Sequence, residues 1–571
     1  MKRKIAIVLL VAVLIIAGGF FYIKYHFLKA KDFKPVTSKA KSIIDLRPSV
    51  IAKLQQVVKD GSNGLYILSI EKIDPDVLAS KLIVVNAGIR IDTAAMLHLD
   101  SLKKLPDDIF KIHFDSLHID GMGIEDLINK NSVEITGISI SKPVIEVYHK
   151  TRAYNKAERK RNDTLSLYHR IKGRMNKISI GSIRIDNGIF ITYDVDRKKK
   201  ASKFNNITLR INDLLIDSST QFDAKRFMFA KHATIDARNY MIPTPDSLYY
   251  FKTAAISIAA EQHTLTLHDA ELNPRGNRRQ FEGKLQFRKE MYHVNFPKVV
   301  LSGVDWWAIM NHESFIAKKG EITGGTYTIF LDRSLPKSPA IKLDNFPHQL
   351  LMKIPVPVSV NKLTISHVNV SYEEYNPDAR QGATAFFDNT SNINTDIKKH
   401  PVATFAGTGL FMHHIPISAR FTFDLSKYKT GDYSADVHMD KLDNLTINPI
   451  AEPLGLFSVK SGTIQQGTAH IDGNNFNAKC KIAMAYTDLH VKPLKKADEN
   501  GQLKKKHMTG FFANVFLIKN ANPIKGKELR QPDFSVERDY HANFFNVIWI
   551  SILTGILKTI GVPVKFVIHG S

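Results

Sequence analysis

Residues 176–194 read NKISIGSIRIDNGIFITYD. Ile178 and Ile180 alternate with polar residues, two non-apolar residues follow, and Ile183 and Ile185 resume the alternation. Alternation in β-branched residues marks a half-buried strand. Strand side chains change face at every residue, so the longer spacer would send the second isoleucine pair to the opposite face. The four share a face only if a β-bulge or tight bend absorbs the extra residue, and such bends curl and twist a sheet.

The pattern recurs on both sides. It runs through Ile112, Phe114, Leu117 and Ile119, and through Val133, Ile135, Ile138 and Ile140. Further on it runs through Leu265, Leu267, Ala270 and Leu272, and through Leu363, Ile365, Val368 and Val370. Two copies agree further: Asn176-Lys177-Ile178 matches Asn361-Lys362-Leu363, and Tyr193-Asp194 matches Tyr372-Glu373. A second unit also repeats, in which a short helix opening at Gly123 or at Gly303 leads into a hairpin. The spacings are irregular, which excludes a fixed-period solenoid.

Helices are scarce. The periodicity predicts one near residues 51–59, the two short ones, and one over residues 544–560. Many strands therefore carry an apolar face with few helices to cover it. Burial needs a second sheet, a sheet curling on itself, or an apolar ligand. We expect Ile112, Phe114, Leu117, Ile119, Ile178, Ile180, Ile183, Ile185, Leu363, Ile365, Val368 and Val370 to line one concave apolar surface.

In the C-terminal helix Phe545, Ile548, Ile552, Ile556 and Ile560 fall at helical spacing, and Asn543, Ser551, Thr554 and Lys558 form a narrower polar stripe. Gly561 and Pro563 stop the helix, and residues 564–568 read as a closing strand. Three readings compete: a second transmembrane helix, an interfacial helix, and a helix plugging the end of the sheet. The polar stripe argues against full lipid exposure and favours a helix at the groove mouth or dipping into a membrane.

Residues 5–23 carry no charge and follow Lys2, Arg3 and Lys4. A helix of that length spans the ~30 Å hydrocarbon core of a bilayer. Bulky Phe20, Phe21 and Tyr22 leave no small-residue cleavage site, so the segment reads as an uncleaved anchor, with a cleaved signal peptide as the alternative. Lys24, Lys29 and Lys31 on the far side leave orientation open.

The chain has 571 residues, more than one ordinary core holds, so the body is several domains or an elongated structure. Its net charge is +24. The dense runs Arg159-Lys160-Arg161, Lys198-Lys199-Lys200 and Lys504-Lys505-Lys506 sit among polar residues and read first as solvated loops, then as contacts for anionic head groups. No aromatic platform accompanies them, which argues against nucleic acid. No zinc-protease, nucleophile-elbow, phosphate-loop or dinucleotide motif is present. His413-His414 would face opposite ways on a strand, Trp306-Trp307 reads as helix-to-sheet packing, and the lone Cys480 reads as a small core residue. We assign no catalytic, metal or cofactor-binding residue and expect a non-enzyme.

The N-terminal anchor, Gly64-Leu65-Tyr66 opening the first strands, and the strand pairs of residues 178–194 and 363–373 together resemble the AsmA-like proteins of double-membrane bacteria. Val459-Lys-Ser-Gly462, Tyr486-Thr-Asp-Leu489 and the closing Phe544-Phe545-Asn-Val-Ile-Trp549 add to the resemblance, which covers roughly residues 1–560. It implies a mainly β fold: one N-terminal transmembrane helix, then an elongated, twisted, curled β-sheet groove with a few short helices and a C-terminal amphipathic helix. The corresponding divisions are an anchor at 1–31, the body at 32–540 and the C-terminal helix and strand at 541–571. The resemblance further implies an inner-membrane anchor, a periplasmic body, and phospholipid or another lipid as partner, with other envelope proteins as further partners. The expected function is lipid binding or transfer supporting the envelope or outer-membrane biogenesis. The alternative is a structural or assembly factor for outer-membrane proteins. The chain is shorter than the relatives similar to bridge-like lipid-transfer proteins, which puts a full bridge between two membranes in doubt.

Overall fold

The computed structural model describes residues 47–76, 80–122, 132–155, 176–196, 199–220, 223, 226, 229–244, 246–310, 314–353, 358–395, 402–498, 503 and 519–562. Several expectations lie outside them: the anchor at 5–23, the short helix after Gly123, the runs at 159–161 and 504–506, and the closing strand at 564–568. No described helix is long and apolar enough to cross a membrane.

The described chain is mainly β, as expected. By its internal contacts it divides into two compact units. Unit 1 comprises Met1–Ile242, Lys252–Leu267 and Trp306–Asn311, and unit 2 comprises Pro243–Phe251, His268–Asp305 and His312–Ser571. Unit 1 holds α1 (Arg47–Gly61), β1 (Tyr66–Asp76), β2 (Lys81–Ile91), α2 (Thr93–Ser101), β3 (Asp108–Met122), β4 (Ser132–Ser141), β5 (Val144–His149), β6 (Lys177–Asp194), β7 (Lys199–Ile216) and β8 (Ala230–Pro243). The last residue of β8, Pro243, belongs to unit 2, and two further strands, β9 (Tyr249–Ala259) and β10 (Thr264–Pro274), contribute residues to both. Then follow α3 (Arg278–Glu282), β11 (Met291–Ser302), α4 (Trp306–Met310, in unit 1), β12 (Phe315–Thr323), β13 (Thr326–Asp332), α5 (Pro347–Met352), β14 (Val358–Ser366) and β15 (Val368–Asn376). Unit 2 continues with β16 (Gln381–Thr395), β17 (Val402–Phe411), β18 (Ile415–Asp424), β19 (Tyr433–Met439), β20 (Leu442–Asp443), α6 (Asn444–Gly455), β21 (Phe457–Gly473), β22 (Asn477–Pro493), β23 (Asp533–Glu537) and α7 (Phe544–Ile560).

Two of the five two-residue spacers carry a left-handed residue, while those at 115–116, 136–137 and 181–182 do not. In β10 the second spacer residue, Asp269, has φ +48°, and between β14 and β15 it is His367 with φ +58°. The same device occurs in further strands. Asn86 (φ +49°) separates Val84 from Ala87, Asp213 (φ +53°) separates Ile211 from Leu214, and Asp488 (φ +52°) separates Tyr486 from Leu489. Asn, Asp and His tolerate this left-handed region better than β-branched residues do. One left-handed residue restores the face that the extra residue would have lost.

In unit 1 the bends are matched across neighbouring strands. Ala87 pairs with Phe114 and Val85 with Ser116, so Asn86 lies opposite Asp115 with no change of register. Ser116 pairs with Ser141 and His113 with Val144, which sets Lys142 (φ +47°) opposite Asp115. The Lys142 ammonium meets the Asp115 carboxylate at 2.9 Å. Across the next, parallel ladder Asn187 (φ +55°) continues the line. A second line runs through Gly121, Thr136, Gly181 and Asp213; a Cβ on Gly181 would lie 2.7 Å from the Thr136 carbonyl oxygen. From β2 to β6 the strands crossing the first line take the same extra residue and bend together, whereas the β6–β7 ladder shifts register between Ile185 and Gly188.

The repeat read from sequence is a repeat of topology. In unit 1, β3 runs antiparallel to both β4 and β5, which run parallel to β6, which pairs antiparallel with β7. In unit 2, β11 runs antiparallel to β12 and β13, these run parallel to β14 and β15, and β15 pairs antiparallel with β16. The matching tyrosines occupy matching ladders: Tyr193 pairs with Tyr148, their rings stacked at 4.8 Å, and Tyr372 pairs with Ile329.

His367 is exposed and tests the bend in isolation. His367→Val should destabilise the folded chain by about 1–2 kcal/mol, because a β-branched residue resists positive φ, whereas His367→Gly should stay within a few tenths. Urea titration of both variants checks this; equal midpoints for Val and Gly would remove the left-handed bend from the account.

Candidate functional site

The apolar faces of the two units differ in what covers them. In unit 1 Ile178 and Ile180 are 1% exposed, Ile183 3% and Ile185 7%. Phe114, Leu117 and Ile119 are likewise buried, and Ile112 is partly buried. Ile51, Leu54 and Val58 of α1 pack on this same cluster. These expected lining residues form a closed hydrophobic core, not an accessible surface.

Unit 2 carries a longer apolar face whose alignment follows from register. Leu301, Gly320, Leu363 and Ile393 lie in one cross-strand row over β11, β12, β14 and β16. Phe405, Phe421, Ala435, Ile471, Cys480 and Phe534 extend the row through β17, β18, β19, β21, β22 and β23. A parallel row runs Val294, Tyr327, Val370, Phe387 and Phe411. Over β19 to β23 the face is sealed: Ala435, Ile471 and Cys480 are at most 1% exposed. Over β11 to β18 it is not. Val294, Leu301, Ile322, Tyr327, Leu363, Ile365, Val370, Phe387, Phe405 and Phe421 are all only half-buried, and Val368 alone of the expected residues there is buried.

The difference comes from α7 and α6. Asn543 caps α7 by accepting the Asn546 N–H. The helix packs Phe544, Val547 and Ile548 on Phe423, Tyr433, Ile471 and Cys480, and Leu557 and Ile560 on Met484, Tyr486 and Leu489. Its span is the expected one, but its faces are not divided as the expected apolar stripe would have it. Ser551 and Thr554, of the polar stripe, are 0% and 4% exposed, against the sheet, beside Gly555. A Cβ at Gly555 would collide with Ile482, so small residues here allow close approach of helix and sheet. Of the expected stripe, Ile548 and Ile560 are buried, Ile552 and Ile556 partly buried, and Phe545 is 61% exposed. Trp549, one turn on, is 50% exposed. Phe545 stands 6.4 Å edge-on from Phe421 of the open floor. The site is thus a trough with a half-exposed apolar floor and the Phe545–Trp549 flank of α7 as a wall. Meanwhile α6 covers another stretch of the face, at Phe411, Ile415, Met439 and Ile464.

The polar face of unit 2 offers a second concavity, an open cavity of about 580 Å³ lined by Arg420, Asp436, His438, Thr468, His470, Lys481 and Gln531 among others. His470 lies 2.6 Å from Asp436 and 3.1 Å from Asp472, and the Asp436 hydrogen bond raises its pKa. No metal-holding group of His, Cys, Asp and Glu occurs among the described residues. His413 and His414 lie in the turn between β17 and β18 rather than on a strand, His413 bonding Asp388 at 2.8 Å. Trp306 is buried, its indole N–H donating to the Ala260 carbonyl.

The chain matches no model of a known protein family and no curated protein.

The N-terminal end of α7 rests on an aromatic cluster that includes one histidine. Phe544 meets Phe346, Phe423 and Tyr433 at 5.1, 5.6 and 4.9 Å. His348 is 1% exposed, stacks on Phe423 at 4.7 Å, and neither ring nitrogen has a hydrogen-bond partner. Burial pulls its pKa down from 6.5 to about 4, with Asp432 opposing. The unfolded chain takes up this proton near pH 6.5 and the folded chain only near pH 4, so stability complete above pH 6.5 is lost as pH falls through that window. The loss is on the order of 3 kcal/mol. Thermal melts at about pH 7 and about pH 4.5 should show a smaller acid-induced drop for His348→Leu than for the wild type; identical drops would clear His348 of any part in it.

Proposed function

We propose that the protein binds lipid acyl chains in the trough of unit 2 and passes them along or between membranes of the cell envelope. The observation that carries this reading is the half-exposed apolar floor over β11 to β18 beside the exposed Phe545 and Trp549. Contiguous apolar surface of this extent marks an interaction site, and each methylene sheltered there contributes about 0.8 kcal/mol. Binding and movement along such a floor need no catalytic residue. The resemblance to AsmA-like proteins supports the same reading, with residues 5–23 as an inner-membrane anchor and the body in the periplasm. The sealed face of unit 1 favours a second role for that unit, as a rigid scaffold.

A photo-crosslinking residue at Leu363 should label phospholipid in cells, while one at Thr364, on the opposite face, or at Ile183, inside the core of unit 1, should not. Equal labelling at Leu363 and Thr364 would remove the trough as the lipid site. For the topology, protease added to spheroplasts should digest the body; a protected body would contradict a periplasmic location.

A further inference from the structure

One end of the trough floor is polar in a specific way. Glu290 immediately precedes β11, and its carboxylate accepts a hydrogen bond from the Asn543 side-chain amide at 2.6 Å. Its backbone carbonyl accepts the Tyr249 hydroxyl at 3.2 Å, and that hydroxyl accepts the Tyr292 backbone N–H at 3.2 Å. The Tyr292 ring is tilted 40° to Tyr249 at 6.5 Å and 40° to Tyr327 at 6.2 Å. By register, Tyr292 and Tyr327 share the trough face with Val294 and Val370. Burial raises the pKa of both tyrosines, and the Glu290 charge adds to the rise.

Of the neighbouring charges, Arg288 lies within the field of Arg333 and Glu374, and burial with the Arg333 charge lowers its pKa. Arg333 pairs with Glu374 at 3.2 Å, and the Tyr372 hydroxyl donates to Glu374 at 2.5 Å. Glu290 has no cationic partner among the described residues. A half-buried carboxylate is costly without a counter-charge, and tyrosine ring faces attract cations. Carboxylate and rings therefore ask for the same ligand group, a compact cation. On a floor built for acyl chains, the group that supplies it is the head-group amine of a lipid.

We propose that Glu290, Tyr292 and Tyr327 bind the ammonium group of an amine-bearing lipid whose chains lie in the trough, an assignment that rests on the lipid-binding reading above.

The test incubates the full-length protein with vesicles of equimolar phosphatidylethanolamine and phosphatidylglycerol bearing the same acyl chains. The protein is re-isolated and its bound lipid quantified by mass spectrometry. The wild type should enrich the amine lipid by about fivefold to tenfold, the range of a partly desolvated cation–π and charge contact. Glu290→Gln keeps an acceptor for Asn543, so α7 stays capped; it should bring the ratio near one without reducing total lipid. Tyr292→Leu with Tyr327→Leu should do the same. Leu363→Asp should reduce total lipid instead. No enrichment in the wild type, or enrichment that survives Glu290→Gln, overturns the ammonium site while leaving the trough standing. Absence of any bound lipid overturns both. Free ethanolamine at matched concentration should leave the enrichment intact; if it abolishes it, the corner serves soluble amines and the lipid assignment falls.

Discussion

Strand geometry imposes a parity rule that the rest of this protein obeys: side chains alternate faces, so an apolar face persists past a bend only if the bend restores the phase. Here the restoring element is a single residue in the left-handed region, Asn86, Asp213, Asp269, His367 or Asp488. Because the register in unit 1 continues unbroken across the line from Asn86 to Asn187, neighbouring strands take the bend together. Long strands such as β6 and β22 thereby present one uninterrupted apolar face despite the insertions. Val459–Gly462 and Tyr486–Leu489, which carried part of the family resemblance, prove to be such bends: Gly462 has φ +118°, and a Cβ there would lie 2.7 Å from the Cα of Leu489.

A continuous apolar face must then be covered. Unit 1 closes its face into a core in which the α1 side chains take part, leaving the isoleucines of β6 dry. Unit 2 covers only part of its face. Its C-terminal helix lies over β19 to β23, where Ala435, Ala478, Cys480 and Gly555 keep side chains small enough for contact. Over β11 to β18 the floor stays half-exposed. A trough with one apolar wall is the consequence, and the tyrosine-rich end beside Glu290 gives it a direction, one polar end on an apolar track.

Contact of α7 with the sheet also explains why its polar residues mislead. Ser551 and Thr554 are buried, the Ser551 hydroxyl beside the Cys480 thiol and the Thr554 hydroxyl without a hydrogen-bond partner, and Phe545 and Trp549 are exposed. Steric fit outweighs polarity here: a bulky residue at 551 or 554 would hold the helix off Cys480 and Ile482, whereas a small hydroxyl loses only a modest hydrogen bond.

The strands, their bends and the repeat were legible from residues 176–194 and 361–373 alone, since alternation and its interruption are local properties of the chain. The span of α7 was legible for the same reason, from helical spacing and a stop at Gly561. Strands β2 and β7 carry the same bend, but Val85 and Leu215 place apolar residues where the pattern has polar ones. Which copy of the pattern is a sealed core and which an open floor was decided by tertiary structure. Ile178 and Leu363 occupy equivalent places in the repeat and are indistinguishable by sequence, yet one is 1% exposed and the other half-exposed. Burial depends on what residues distant in sequence lay over a face, and no local pattern encodes that.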